Sequence, residues 1–292
     1  MSDNLIVVSI NTGGATNKIK DTLDGITDSS ANKPYLVQVR PGAGTLAYVE
    51  DNFTIPQYVS LISDGGQSVT EIDANTTTGT LITMSEGSII KGFEIKNKTA
   101  GTAIDVATTG SHAISDIDIW DCNDGIVVNH ATASANINNV YLDENAQGIL
   151  SDGLRIENGS ATVENIIALN GVTVGGAVVN ITGATSFMAL TGVLISSANV
   201  QTGIEITDGA NLNMYDISGN QMVDGVVHSG GSGITMSNVK FFACQNNGYR
   251  CEAGTGGLNE VTFAGVLFEA VPVGYDVNIT VADLEAVGGP IQ

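Results

Sequence analysis

The chain has 292 residues, 42% of them hydrophobic, and sets 10 Lys+Arg against 31 Asp+Glu, a formal charge of −21 with only 14% of residues charged. A surface so short of cations, with arginine only at Arg40, Arg155 and Arg250, does not displace counterions from a phosphate backbone, which excludes nucleic acid as a partner. No run approaches the roughly 18 apolar residues of a membrane span, so no membrane insertion is expected, and the length allows two ordinary domains or one extended repetitive one.

Taken in chain order, the start "MSDNLIVVSINTGG" has a short apolar run with no cationic stretch before it, and reads as a first strand rather than a secretory leader. "TNKIKDTLDGI" then sets Ile19, Leu23 and Ile26 at i, i+4 and i+7, one apolar face of a short helix; strand and helix together occupy residues 1–33. A strand ending in a Pro-Gly turn follows in "PYLVQVRPGAG", and after it "DNFTIPQYVSLISDGG", from Asp51 to Gly66.

This succession resembles the pectin-lyase-like superfamily of right-handed parallel β-helices, in which an amphipathic capping helix precedes a strand with a Pro-Gly turn and then a strand like the one after Asp51. The resemblance implies that the helix seals the apolar end of a solenoid, whose strand edge would otherwise lie open. With the repeats that follow, it extends from about Thr16 to Ile279.

The body, residues 34–280, says the same thing many times. The pattern apolar, any, Asp/Asn/Gly, apolar, any, apolar recurs as "IKGFEI" from Ile90, "ISDIDI" from Ile114, "INNVYL" from Ile137, "LTGVLI" from Leu190, "MSNVKF" from Met236 and "FAGVLF" from Phe263, with weaker copies at Val163 and Met214. A second column reads Thr102, Gly125, Gly148, Gly176, Gly203, Gly225, Gly248 and Gly274, at intervals of 22 to 28 residues. Two columns in one register indicate a repeat architecture. Within each period, short β-branched runs with period-two alternation are separated by Gly, Asn, Asp and Ser, which excludes helical repeats, and a propeller blade would need about 40 residues. About 24 residues hold three short strands and three turns, so an all-β parallel β-helix of roughly ten coils is predicted, each strand pairing with its copies about 4.8 Å above and below. The Asp/Asn/Gly position is then a bend, where a turn-tolerant residue lets the coil change sheet.

The resemblance brings enzymes of plant-wall polysaccharides with it, but their motifs are missing. The paired Gln, paired Asp and Arg of pectin methylesterases, the "NTD", "DD" and "RIK" elements of polygalacturonases and the Arg-bearing motif of pectate lyases have no counterpart; "RIE" at Arg155 matches only superficially. One patch remains. In "ISDIDIWDCND", Asp116 falls in the bend column, while Asp118 and Trp120 point outward because Ile117 and Ile119 point inward. The matching outward positions are Glu94 and Lys96 one coil earlier, and Tyr141 and Asp143 one coil later. Carboxylates, an amine and two aromatics suit a saccharide-binding face. Glu94 and Asp118, in adjacent coils, would stand near the roughly 5 Å carboxyl separation of a retaining glycosidase, which makes them the catalytic candidates if the chain is an enzyme. The plainer alternative is a solvated sheet face.

Cys122, Cys244 and Cys251 lack zinc-like spacing and read as reduced, buried thiols, with a Cys244–Cys251 disulfide as the alternative. His112, His130 and His228 are scattered, lack metal-ligand spacing and are expected at the surface. No cofactor is expected, though the Asp-rich turns "LDENAQG" and "LSDGLRIEN" offer ligands to calcium. The tail "VADLEAVGGPIQ", residues 281–292, is too short to cap the last coil, which predicts a partner there and a homotrimer.

Together these readings predict a non-enzymatic structural or adhesive virion component, a tail spike, fibre or capsid decoration. It would be made in the host cytoplasm, contact other virion proteins and bind host-surface glycans. The alternatives are a polysaccharide-degrading hydrolase or lyase acting through Glu94 and Asp118, and a bacterial adhesin at the cell surface.

Overall fold

Eight residues at the third place of the recurring pattern share one backbone conformation: Gly92, Asp116, Asn139, Asn165, Gly192, Asp216, Asn238 and Gly265 all have φ between 53° and 85°. L side chains are strained in that left-handed region, Asn and Asp least of all, and glycine not at all. The composition of the column is therefore the backbone requirement of the bend written out. The bends also bond to one another along the axis, since Asn139 Nδ2 donates to Asp116 Oδ1 at 2.8 Å and Asn165 Nδ2 to Asn139 Oδ1 at 3.1 Å. Asn238 donates to Asp216 in the same way.

The structure is a computed structural model that describes residues 4–9, 15–42, 46–67, 69–142, 151–169, 174–230, 233–252, 260–269 and 273–277. All ladders between its named strands are parallel, and each coil contributes to three faces, called here A, B and C. Face A ends at the bend, face B begins after it, and face C precedes the next coil's face A. On face A the inward column runs Ile90, Ile114, Ile137, Val163, Leu190, Met214, Met236, each at most 3% exposed. Stacked β-branched and long aliphatic side chains of this kind fill one continuous core along the axis.

The fold class is the expected all-β parallel β-helix. The regular, bend-bearing repeat amounts to eight turns among the described residues rather than roughly ten, because before Ile89 faces A and B are separate strands, such as Val59–Ser63 and Glu71–Ala74, joined by a longer turn.

The glycine column needs a correction. Gly125 stacks on Gly153, not on Gly148, and the column continues through Val178, Gly203, Gly225 and Gly248, with Ala103 before it. Gly148 lies outside the described residues, and Gly176 sits two positions before Val178. A 28-residue coil between Gly125 and Gly153 shifted the apparent register. These glycines are required by closeness rather than by φ: a Cβ on Gly125 would lie 2.2 Å from the Gly153 carbonyl oxygen, and one on Gly225 2.4 Å from that of Gly248.

At the N-terminal end the helix Lys18–Asp24 takes the place of the face C strand in the first coil, between Ala15–Thr16 and Tyr35–Val39. Ile19 and Leu23 are fully buried and Ile26 nearly so, as their spacing predicts. The backbone N–H groups of Ile19 and Lys20 donate to the two carboxylate oxygens of buried Glu50 at 2.8 and 3.0 Å, which satisfies donors that a helix N-terminus leaves open. The predicted tail, residues 281–292, lies outside the described residues.

Candidate functional site

Register brings the predicted patch together on face B. Glu71, Glu94, Asp118 and Tyr141 form one outward column in four successive coils, and Asp73, Lys96 and Trp120 form the column beside it. Asp143 lies outside the described residues.

Outward does not mean exposed, and here the structure departs from the wet face that alternation suggests. Asp118 is only 5% exposed, and Gln67, from the turn between the faces two coils earlier, donates to its Oδ1 at 3.0 Å. Lys96 is paired with Glu71 at 2.6 Å. Burial disfavours its charge, but the Glu71 carboxylate, with Asp73 and Glu94, outweighs this and raises its pKa above the ordinary lysine value. Trp120 is half-buried, and its Nε1 has no hydrogen-bond partner among the described residues; Tyr141 is 37% exposed. Glu94 and Asp118 are adjacent as expected, at about the 4.8 Å interstrand spacing. With Asp118 sealed under Gln67, the pair does not present two open carboxylates to a substrate. Asp116 is the bend residue, as its column implies, and is paired with Lys91 at 3.3 Å.

Face C carries a cluster that the sequence reading missed. Arg155 reaches Asp124 and Asp152, each at 3.4 Å, and Glu157 at 2.9 Å. Asp152 also accepts from the Ala177 backbone N–H at 2.9 Å and from Asn180 Nδ2 at 3.2 Å. Burial raises the pKa of Asp105 and of Asp124, against the opposing pull of Arg155 in both; Asp152 adds to the rise at Asp124. Asp105 Oδ1 is buried with no hydrogen-bond partner among the described residues. These residues come from four coils, and the signal that would have found them is the "RIE" at Arg155, read in register with "DGIVV" one coil before.

The histidine expectation is corrected for two of three residues: His112 and His228 are buried, whereas His130 is partly exposed. Burial pulls the His112 pKa down. His228 points into the core of face C, where its Nδ1 lies 2.7 Å from the buried Tyr249 hydroxyl. The three cysteines are free and buried, and burial pushes the Cys122 thiol up to about 12 and the Cys244 thiol up to about 11. Lys98 is fully buried and donates to Asn52 Oδ1 at 2.5 Å, Thr76 O at 2.7 Å and Thr76 Oγ1 at 3.1 Å, which explains how an amine is tolerated inside a turn. No group of three or more His, Cys, Asp or Glu side chains among the described residues is arranged to hold a metal ion. Of the two calcium candidates, most of "LDENAQG" lies outside the described residues, and in "LSDGLRIEN" Asp152 and Glu157 are engaged by Arg155.

No protein-family model matches the sequence, and no curated protein matches it. Solved structures do match in shape. ORF18 of Geobacillus virus E2 shares 14% identity over 94% of this chain with a TM-score of 0.57, and this chain spans 61% of that protein. An alginate lyase from Paenibacillus sp. str. FPU-7 shares 13% identity over 95% of this chain and 100% of its own, with a TM-score of 0.61. Identities this low show a common fold alone, the parallel β-helix.

Proposed function

We propose that the chain is a structural and adhesive component of a virus particle, binding host-surface glycans through face B without cleaving them. The observation that carries this reading is the state of the patch. Asp118 is buried under Gln67 and Lys96 is held by Glu71, so the face offers half-buried Trp120 and exposed Tyr141 beside fixed polar groups rather than a free acid and base. Aromatic rings flanked by immobilised hydrogen-bonding groups suit passive recognition of a sugar. The shared fold with a protein of a Geobacillus virus supports the setting. A parallel homotrimer, covering the solenoid's end and contacting other particle proteins, is part of the proposal.

A second reading, a polysaccharide-degrading enzyme, is favoured by face C, where Asp105 and Asp124 are carboxyls of raised pKa close to Arg155. Perturbed carboxyls next to a fixed cation occur at functional sites as well as in structural ion-pair networks.

One experiment separates the two. The protein is incubated with a panel of bacterial polysaccharides, scoring both retention and release of reducing ends. Retention without release, weakened by Trp120→Ala or Tyr141→Ala, is the expected result. Release that disappears in Asp124→Asn would establish the enzyme instead, and neither retention nor release would remove glycan binding from the proposal. Light scattering that shows a stable monomer at micromolar concentration would remove the trimer.

A further inference from the structure

Two of the three faces are closed at the N-terminal end. On face C the helix Lys18–Asp24 stands in for a strand; on face B the pairing is only Ala15–Thr16 on Tyr48 and Val49, after which Asn17 bonds to Asp51. Face A is different. Its first described strand, Leu5–Val8, pairs in parallel with Tyr35–Val39 on one side and with no described strand on the other. An open strand edge is a template for further pairing, which proteins blunt with charge, proline, bulges or a cover. Residues 4–9, Asn-Leu-Ile-Val-Val-Ser, carry neither charge nor proline.

The hydrogen bonds inside the sheet fix which groups lie open. The Leu36 N–H donates to Asn4 O at 3.0 Å and the Arg40 N–H to Val8 O at 2.9 Å. Strands address one neighbour through alternate residues, so Ile6 also turns inward to this ladder, and the N–H and C=O groups of Leu5 and Val7 point away from it. Their side chains are open as well, 55% and 43% exposed on the outer surface. On the inner surface Ile6 begins the column that continues through the fully buried Val37, Leu61 and Ile90, and is itself only half-buried. Backbone groups, outward apolar side chains and the end of a core column thus all face the same edge.

We infer that this edge pairs with the same edge of a second copy of the chain, antiparallel about a two-fold axis at Ile6. Leu5 then lies opposite the partner's Val7, and Val7 opposite the partner's Leu5. Both are hydrogen-bonded pairs, each exchanging two N–H···O bonds, so every open backbone group of the two residues is satisfied. Open residues on either side of a central one are what a two-fold requires, which makes the strand complementary to itself. The outward Leu5 and Val7 become cross-strand apolar pairs, and the two Ile6 side chains meet at the axis, joining the inward columns of two solenoids. Charge also selects a second copy at this place. Chains of net charge −21 repel one another where their acids meet, and residues 4–9 bring none. A contact between two short strands is at the small, transient end of interfaces, so it forms at high concentration. It does not rest on the glycan reading, and it joins ends whether the chain is otherwise a monomer or the proposed trimer.

Sedimentation of the full chain over a wide concentration range tests this. The expected result is a doubling of mass, from one chain to two or from three to six, that strengthens with added salt because screening relieves the repulsion between acidic bodies. Leu5→Lys and Val7→Pro should each weaken association at least about tenfold with unchanged melting temperature, since neither residue bonds to the strand beside it. At high concentration, amide exchange should slow at Leu5 and Val7 but not at Ile6 and Val8, which already bond inside the sheet. A single cysteine reports the axis, the three native thiols being buried. Ile6→Cys should form an intermolecular disulfide under oxidised glutathione, whereas Leu5→Cys, set opposite the partner's Val7, should not. A mass independent of concentration, association untouched by both substitutions or weakened by salt, or cross-linking of Leu5→Cys in preference to Ile6→Cys would overturn the inference. A chain that stays unpaired yet binds a synthetic peptide of residues 4–9 would assign the edge to a foreign strand, and would overturn the second copy as its occupant.

Discussion

The bend-bearing coils and the N-terminal end solve one problem, the satisfaction of backbone groups beside an apolar core, by opposite means. In the coils the solution is repetition: each strand pairs with copies above and below, and Asn139, Asn165 and their equivalents add side-chain bonds along the bend. At the N-terminal end the described residues hold no earlier copy of the face C strand; a helix lies in its place and one buried carboxylate, Glu50, receives its N-terminal amides. The body is thus held by many equivalent contacts and the end by a few singular ones. Damage in the body should be graded by what each column demands, whereas damage at the end should depend on one group and on pH.

The largest effect is expected from the inward column. Ile137 is fully buried between Ile114 and Val163, and Ile137→Ala removes three carbons from a site the neighbouring coils hold open. A loss of about 2–5 kcal/mol is expected, read as a shift in the guanidinium midpoint. A shift below about 1 kcal/mol would mean that the solenoid relaxes locally and does not behave as one packed core.

The glycine corner comes next. Gly153→Ala places a methyl 2.6 Å from the Val178 carbonyl oxygen and 2.4 Å from Leu142 Cδ1, an overpacking expected to destabilise by about 1–3 kcal/mol. Gly209→Ala, with no contact closer than 3.5 Å but φ of 79°, tests strain in its place. If the two substitutions behave alike, crowding is not what sets the corner column.

At the bend, Asn139→Ala keeps φ near 53° on a residue that resists it and removes two side-chain bonds, so a loss of about 1–2 kcal/mol is expected. Asn139→Gly relieves the strain without restoring the bonds and should recover a large part of that loss. Equal losses in the two variants would assign the bend's stability to the side-chain ladder alone.

The same division explains what could be read without coordinates. The bend column, the cap helix at Ile19 and Leu23 and the adjacency of Glu94, Asp118 and Tyr141 were legible because each depends on a residue type at a fixed spacing. The glycine partner of Gly125 was not, since one long coil offsets the count and Gly148 matches the pattern as well as Gly153 does. Neither was the burial of Asp118, because its cover, Gln67, comes from a turn outside the regular repeat, 51 residues away. His228 carries a polar side chain into an inward position, where the Tyr249 hydroxyl opposite is a partner for its Nδ1. The face C cluster needed the register of two adjacent coils, offset by 28 residues, before Arg155 and Asp124 could be seen as partners. Local patterns report what a column requires of the backbone; pairings between columns depend on coil lengths that vary.

The smallest and most specific effect belongs to the end. Burial pushes the Glu50 carboxyl from its ordinary value of 4.5 up to about 7, against the amide bonds from Ile19 and Lys20 that pull it down. Between those two values the folded cap holds a proton that the unfolded chain has released, so the stability of the cap is greatest below pH 4.5 and declines as the pH rises towards 7. Hydrogen exchange of the helix amides should therefore show more protection at pH 5 than at pH 8, after correction for intrinsic rates, while amides of the bend-bearing coils change together and less. Glu50→Gln, which cannot ionise, should flatten the difference at the helix. If the wild-type helix is instead better protected at pH 8, the ionised carboxylate is the form the amides prefer, and the helix N-terminus outweighs burial at this end of the solenoid.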